Sequence, residues 1–155
     1  MASFTSALPT ASYTERLGAR LAAASPRGLT ILLRGPLGAG KTTLVEGFVE
    51  AIGAGHAASP SFVLAHSYPD GRIPVWHLDL FRIVEQRDID DLDLSQYFSE
   101  DAVTLIEWPD NAEGAWPPDR VEIDLSIDGE ARVAKVTGFG TGAPIVDALA
   151  AESAG

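Results

Sequence analysis

A chain of 155 residues with 46% apolar and 21% charged side chains is long enough for one domain with a sizeable core and too apolar to be disordered. Twenty-two acidic against 11 basic residues give a net charge of −11, the opposite of the basic face that displaces counterions from RNA or DNA, so direct, unaided nucleic-acid binding is not expected. Cysteine is absent, which excludes disulfides and cysteine-ligated metal. No apolar run approaches the roughly twenty residues of a membrane span, and the first residues lack a basic region followed by an apolar block, so a cytoplasmic chain without a membrane association is expected.

The residues before Leu29 predict a short strand or extended arm followed by one helix. Ser12-Tyr13-Thr14-Glu15 has capping-box spacing, and Leu17, Leu21 and Ala24 share one helical face until Ser25-Pro26-Arg27-Gly28 ends it. This helix reads first as packing for the sheet, and it can also border an adenine pocket.

Leu29 to Leu33 is apolar on both faces, the mark of a buried parallel strand. It breaks into Gly35-Pro36-Leu37-Gly38-Ala39-Gly40-Lys41-Thr42, which fits G-x-x-x-x-G-K-[ST] without a gap. Leu44, Val45, Phe48 and Ile52 then recur at helical steps, and Gly53 stands where a helix stops. Strand before and helix after are the context that separates a phosphate-binding loop from a glycine-rich turn with a chance lysine. Glycines let the backbone curl its N–H groups inward, and the helix start turns its free N–H groups and positive dipole end on the same anion. Lys41 is suited to the β- and γ-phosphates of a nucleotide and the Thr42 hydroxyl to Mg²⁺.

Gly53 to Phe62 is a loop in which Ser59 and Ser61 flank Pro60. Loops that sense a γ-phosphate carry hydroxyls at this point of the chain; an ordinary Ser/Pro loop reads the same. Phe62, Leu64, His66 and Tyr68 alternate with smaller residues, and Pro69-Asp70-Gly71-Arg72 is a turn. An antiparallel hairpin of Phe62–Tyr68 with Ile73–Leu80 is therefore predicted. Asp79, near the end of its second strand, suits the hydration shell of Mg²⁺; an aspartate capping the next helix is the competing account. The acidic stretch from Glu85 to Asp93 lacks the glycine of a calcium loop and reads as a solvated helical segment or a surface for a basic partner.

Asp101 to Pro109 is an apolar strand that ends in Glu107-Trp108-Pro109. In parallel sheets, ligands sit beyond the carboxyl ends of strands, so Glu107 is placed to bind Mg²⁺ directly or to orient an attacking water, the alternative being an acid solvated at a sheet edge. After the loop from Asp110 to Pro118, Val121–Ile127 and Ala131–Val136 alternate around Asp128-Gly129, predicting a half-exposed hairpin appended to the core sheet. Arg132 on it can reach phosphate or base, but reads more simply as an exposed strand arginine. Ala143 to Ala151 predicts a terminal helix with a frayed tail. The whole is read as a single α/β domain over residues 1–155: a phosphate-loop, three-layer fold with a central mixed sheet and a C-terminal antiparallel hairpin.

Taken together, Thr14-x-x-Leu17-Gly18, Gly35–Thr43, Ser59-Pro60-Ser61-Phe62, His77-Leu78-Asp79-Leu80-Phe81-Arg82 and Ile106-Glu107-Trp108-Pro109 resemble the TsaE (YjeE) ATPases of bacterial tRNA threonylcarbamoyladenosine synthesis. The resemblance covers nearly the whole chain, and the order of these motifs in so short a protein is specific. It implies an ATP- and Mg²⁺-dependent ATPase, weak alone and stimulated by the TsaD and TsaB proteins that modify adenosine 37 of tRNAs reading ANN codons, with tRNA met only indirectly. It further implies that Gly35, Gly38, Ala39, Gly40, Lys41, Thr42 and Thr43 bind the phosphates and that Ser59 and Ser61 form a switch. Thr42 and Glu107 would hold Mg²⁺, Asp79 would belong to the catalytic or metal shell with Lys41 and Glu107, and Trp108 would lie beside the site. Phe81 replaces the family's usual tyrosine, and Ser61 its usual threonine. Two other classes compete. A small phosphate-loop kinase needs an arginine-bearing lid for which no segment stands out. A GTP-dependent regulatory switch needs an Asn-Lys-x-Asp that is absent, since Asn111 is the only asparagine.

Overall fold

The structure, a computed structural model, describes residues 1–54, 65–81, 97–112 and 116–154. The predicted Ser59–Phe62 switch, the first half of its strand and the acidic stretch from Glu85 to Asp93 lie outside the described residues. The elements are β1 (Ala2–Leu8), α1 (Ala11–Ala24), β2 (Thr30–Arg34), α2 (Lys41–Ile52), β3 (Ala65–Tyr68), β4 (Val75–Asp79), β5 (Val103–Glu107), β6 (Arg120–Asp128), β7 (Ala131–Phe139) and α3 (Gly142–Ala154), with a 3₁₀ turn at Pro109–Ala112.

Seven strands form one mixed sheet in the order β1-β7-β6-β2-β5-β4-β3. β2 lies at its centre, parallel to both β5 and β6, and β4 continues the parallel set beside β5. β3 closes one edge antiparallel to β4, as the predicted hairpin requires. At the other end the β6–β7 hairpin is not peripheral, because β6 pairs with the whole of β2 through Arg120–Asp124 and β1 adds a further strand outside β7. Its alternation is still visible: Val121, Ile123 and Leu125 are buried while Asp124 and Ser126 are exposed.

That burial pattern follows from what covers each face. Ile31, Leu33, Val103, Leu105, Val121 and Ile123 point into one core with α1, α2 and α3. On the opposite face Leu32, Leu78, Leu80 and Ile106 make a smaller core with Ala112, flanked by Trp76, Tyr97, Phe98, Trp108 and Trp116. β2 and β5, buried on both faces, are accordingly apolar through Ile31–Leu33 and at Val103, Leu105 and Ile106.

The N-cap of α1 falls two residues before the one the capping-box spacing predicts. Pro9 ends β1, Thr10 enters the helix extended at φ −139° and ψ 168°, and no side chain caps it. Ser12 therefore falls inside the first turn, where it has no free N-cap to serve. α2 ends as predicted: Gly53 is left-handed, its N–H bonds the Glu50 carbonyl at 3.0 Å, and the Ala54 N–H bonds the Val49 carbonyl at 3.2 Å, the Schellman pattern. α1 and α2 meet at two glycines. A Cβ at Gly18 would lie 2.1 Å from the Leu44 carbonyl oxygen, and one at Gly47 would lie 2.2 Å from that of Glu15, so the helices approach as closely as backbones can.

Candidate functional site

The site lies beyond the carboxyl ends of β2, β5 and β4, where an open parallel sheet offers main-chain groups and helix starts to a ligand. β2 runs out of the core at Arg34 and the chain turns through Gly35, Gly38 and Gly40, all at positive φ (151°, 82° and 105°), before α2 starts at Lys41. Side chains rarely adopt such angles, which accounts for the glycine spacing of the motif. The first N–H groups of α2 have no carbonyl of their own helix to bond and face the loop with the positive end of the dipole. Within the loop Ala39 is fully buried and its N–H is already donated to the Pro36 carbonyl at 3.1 Å.

Parallel register brings the acids to this loop. Leu33 pairs with Glu107 and Glu107 with Asp79, so both carboxylates end their strands side by side on the α2 face of the sheet. Glu107 is 3% exposed, a buried carboxylate on a central strand and not an acid solvated at an edge. The Thr42 hydroxyl donates to Glu107 Oε1 at 3.4 Å, while Glu107 Oε2 meets His77 Nε2 at 2.6 Å. Asp79 Oδ1 accepts the Phe81 N–H at 3.0 Å. Burial pushes the Asp79 carboxyl above its ordinary value; the Phe81 N–H opposes this, the Glu107 charge adds to it, and His77 and Lys41 oppose it.

Lys41 is buried and donates its ammonium to the Gly35 and Pro36 carbonyls, the latter at 3.0 Å. Its Nζ also sits 4.1 Å from the centroid of the Trp108 ring, a cation–π contact. Burial lowers the Lys41 pKa, and the Glu107 and Asp79 charges work against that shift. Trp108 itself adopts φ 59°, an outlier for a bulky side chain. It is held there from both sides: its N–H bonds the Leu33 carbonyl at 3.2 Å, and the Glu107 carbonyl accepts the Leu80 N–H at 3.1 Å. Arg34 ties the following turn to β2 through Asp110 at 2.8 Å. The left-handed backbone aims the indole at Lys41 and at Phe81, whose ring centroid is 4.9 Å away.

Leu37, Gly38, Gly40, Lys41, Thr42, Thr43, Asp79, Phe81, Glu107 and Trp108 line one cavity of about 300 Å³. A second, of about 200 Å³, lies on the other side of the loop and shares Gly38, Gly40 and Thr43 with the first; Leu8, Thr10, Ala11, Thr14, Glu130 and Arg132 complete its wall. Of the residues expected at the site, all but Gly35, Ala39, Ser59 and Ser61 line the first cavity. Gly35 and Ala39 shape the loop beneath it, and the two serines lie outside the described residues.

The fold brings two further residues to this region. Arg132 is no free surface arginine, since its Nε donates to the Gly38 carbonyl at 3.1 Å; β7 starts beside the end of β1, pairing Leu8 with Arg132, and both abut the loop. His77, to which the sequence motifs assign no role, precedes Asp79 by two residues and so shares its strand face. A hydroxyl and a carboxylate, both hard oxygen donors, suit Mg²⁺, which keeps waters and takes phosphate oxygens for its remaining ligands. Thr42 and Glu107 are the residues that would hold it, and Asp79 lines the same cavity beside them.

Sheet order, loop and acids define a phosphate-loop protein of the α/β class. The family it falls in follows from comparison with known proteins. The family Threonylcarbamoyl adenosine biosynthesis protein TsaE matches residues 8–134. The tRNA threonylcarbamoyladenosine biosynthesis protein TsaE of Synechocystis is 40% identical over 108 residues, 66% of this chain and 68% of that one. Its namesake in Bacillus subtilis is 35% identical over 118 residues (76% and 73%), and that of Streptomyces coelicolor 39% over 136 (81% and 90%). The crystal structure of Bacillus subtilis YdiB superposes with a TM-score of 0.81 at 25% identity, covering 99% of this chain and 97% of that one. The chain belongs to the TsaE family.

Proposed function

We infer that this protein binds ATP with Mg²⁺ and hydrolyses it slowly, as the ATPase subunit that acts with TsaD and TsaB in threonylcarbamoylation of adenosine 37 of tRNAs reading ANN codons, in the cytoplasm. One observation carries the nucleotide reading: Lys41, Thr42, Asp79 and Glu107, from three separate elements, line a single cavity against the start of α2. The family supports the pathway, and the net charge of −11 suits a subunit that docks on protein more than one that grips RNA.

In this reading Lys41 exchanges its two loop carbonyls for β- and γ-phosphate oxygens, and the N–H groups opening α2 receive the rest of the anion. The metal would supply positive charge against the charge that develops on phosphoryl transfer. Glu107 and the Thr42 hydroxyl hold it, and Asp79 orders water at its edge. Trp108 and Phe81 wall the cavity on its apolar side and keep bulk water from the reacting phosphate. The base and ribose extend into the second cavity, where Thr10, Thr14 and Arg132 supply polar groups and Leu8 an apolar wall.

Calorimetry with MgATP, followed by phosphate release with and without the TsaB–TsaD complex, tests the proposal. Binding by the wild type, its loss in Lys41→Ala and a hydrolysis rate that rises with the complex are expected. Absence of heat with and without the complex refutes nucleotide binding. Equal rates refute partner stimulation, and a phosphorylated metabolite in place of inorganic phosphate means a kinase.

A further inference from the structure

The loop, the acids and Trp108 account for the cavity, but not for the imidazole behind it. His77 is 0% exposed on β4, on a strand face otherwise filled by Val75 and by Asp79 at the rim. An apolar side chain would fill that position without the cost of burying two ring nitrogens. Nε2 meets Glu107 Oε2 at 2.6 Å, and Nδ1 is buried with no hydrogen-bond partner among the described residues. A histidine that leaves one nitrogen unsatisfied inside the protein is held for what the other does.

We propose that His77 is a positioning residue for the metal: its Nε2–H donates to Glu107 Oε2 and so turns Oε1 toward the Thr42 hydroxyl as the oxygen presented to Mg²⁺. The division of labour is visible in the two contacts, since each carboxylate oxygen has its own partner. A free glutamate has three rotatable bonds and loses side-chain entropy when a cation fixes it. Here much of that ordering is present beforehand. Groups that orient a metal-binding side chain from behind are commonly worth ten- to a hundredfold in metal affinity. The inference rests on the nucleotide reading above and adds to it a residue that touches neither nucleotide nor metal.

Its test is ATP affinity by calorimetry in EDTA and in excess Mg²⁺, for wild type, His77→Leu and His77→Gln. Leucine fills the space and removes the donor; glutamine restores an N–H at about the reach of Nε2. In His77→Leu the gain in affinity given by Mg²⁺ is expected to shrink roughly ten- to a hundredfold, with affinity in EDTA within about threefold of wild type. In His77→Gln most of the gain returns. A full Mg²⁺ gain in His77→Leu, or an equal loss in EDTA and in Mg²⁺, overturns the inference, as does failure of glutamine to rescue. If His77→Leu does not fold, His77→Asn, whose amide is too short to reach Oε2, takes its place with the same expectations. Wild type that binds no ATP in either condition overturns the nucleotide reading itself, an outcome distinct from the others.

Discussion

The crossing of α1 over α2 gives a sharp prediction, Gly47→Ala. The added methyl would stand 2.2 Å from the Glu15 carbonyl oxygen and 2.8 Å from the carbon behind it. Both atoms are backbone, so no rotamer change relieves the contact, and α1 must retreat by about 1 Å to reach ordinary packing. Overpacking of this kind costs about 1–3 kcal/mol, and a clash with main chain belongs at the upper end. Alanine regains about 1 kcal/mol of helix propensity over glycine, leaving a net loss of about 2 kcal/mol. For a domain of this size that is a fall of roughly 4–8 °C in Tm, readable by circular dichroism. Gly18→Ala, blocked by the Leu44 carbonyl at 2.1 Å, is expected to behave alike. The double variant should lose less than the sum, because one retreat of α1 makes room for both methyls. Since α2 begins with Lys41 and Thr42, MgATP affinity should fall in step. A Gly47→Ala protein that melts at or above the wild-type temperature would show that the helices do not meet at these glycines.

Further outcomes are expected at the site. Lys41→Ala removes a charged donor of the kind worth about 1.5–3 kcal/mol, so ATP affinity by calorimetry should drop at least tenfold. Asp79→Asn keeps an oxygen for the Phe81 N–H but removes a carboxyl whose folded pKa is raised. The stability a raised carboxyl contributes is full below its ordinary value of 3.8 and is lost as pH rises through its raised folded value, so the variant should melt higher than wild type at neutral pH. The advantage should vanish in melts run below that value. Arg132→Ala frees the Gly38 carbonyl and should weaken ATP binding about three- to tenfold, with Tm little changed; unaltered affinity would place the nucleotide outside the second cavity.

What could be read in advance was what neighbouring residues decide. The strand into Gly35, the glycines of the loop and the helix from Lys41 to Gly53 are local grammar: apolar run, positive-φ turn, periodicity, stop. Glu107 and Asp79 could be marked as strand-end acids because the change from apolar to charged lies within a few residues. Partners set by register were not legible. His77 and Glu107 are 30 residues apart and meet only because β4 lies parallel to β5, and nothing in either segment states that pairing. The same holds for β1, which finds β7 across most of the chain and so turns a peripheral hairpin into an interior one. Arg132 follows from that misplacement: on an appended hairpin it would face solvent, whereas beside β1 it reaches Gly38. The entry at Thr10, which no side chain caps, is masked in the sequence by the Ser12–Glu15 spacing two residues later.

The contacts of Lys41 also set an entry condition for whatever arrives. Its ammonium is satisfied by two carbonyl oxygens and an indole face, so an incoming anion gains only the difference between itself and that company. Chloride or a lone carboxylate has little to outbid them with, while a polyphosphate, engaging helix amides at the same time, has much. On the proposed reading such a latch would filter by charge density before any base is inspected, and its release would take a cation off Trp108, so that tryptophan's emission should report the moment of entry.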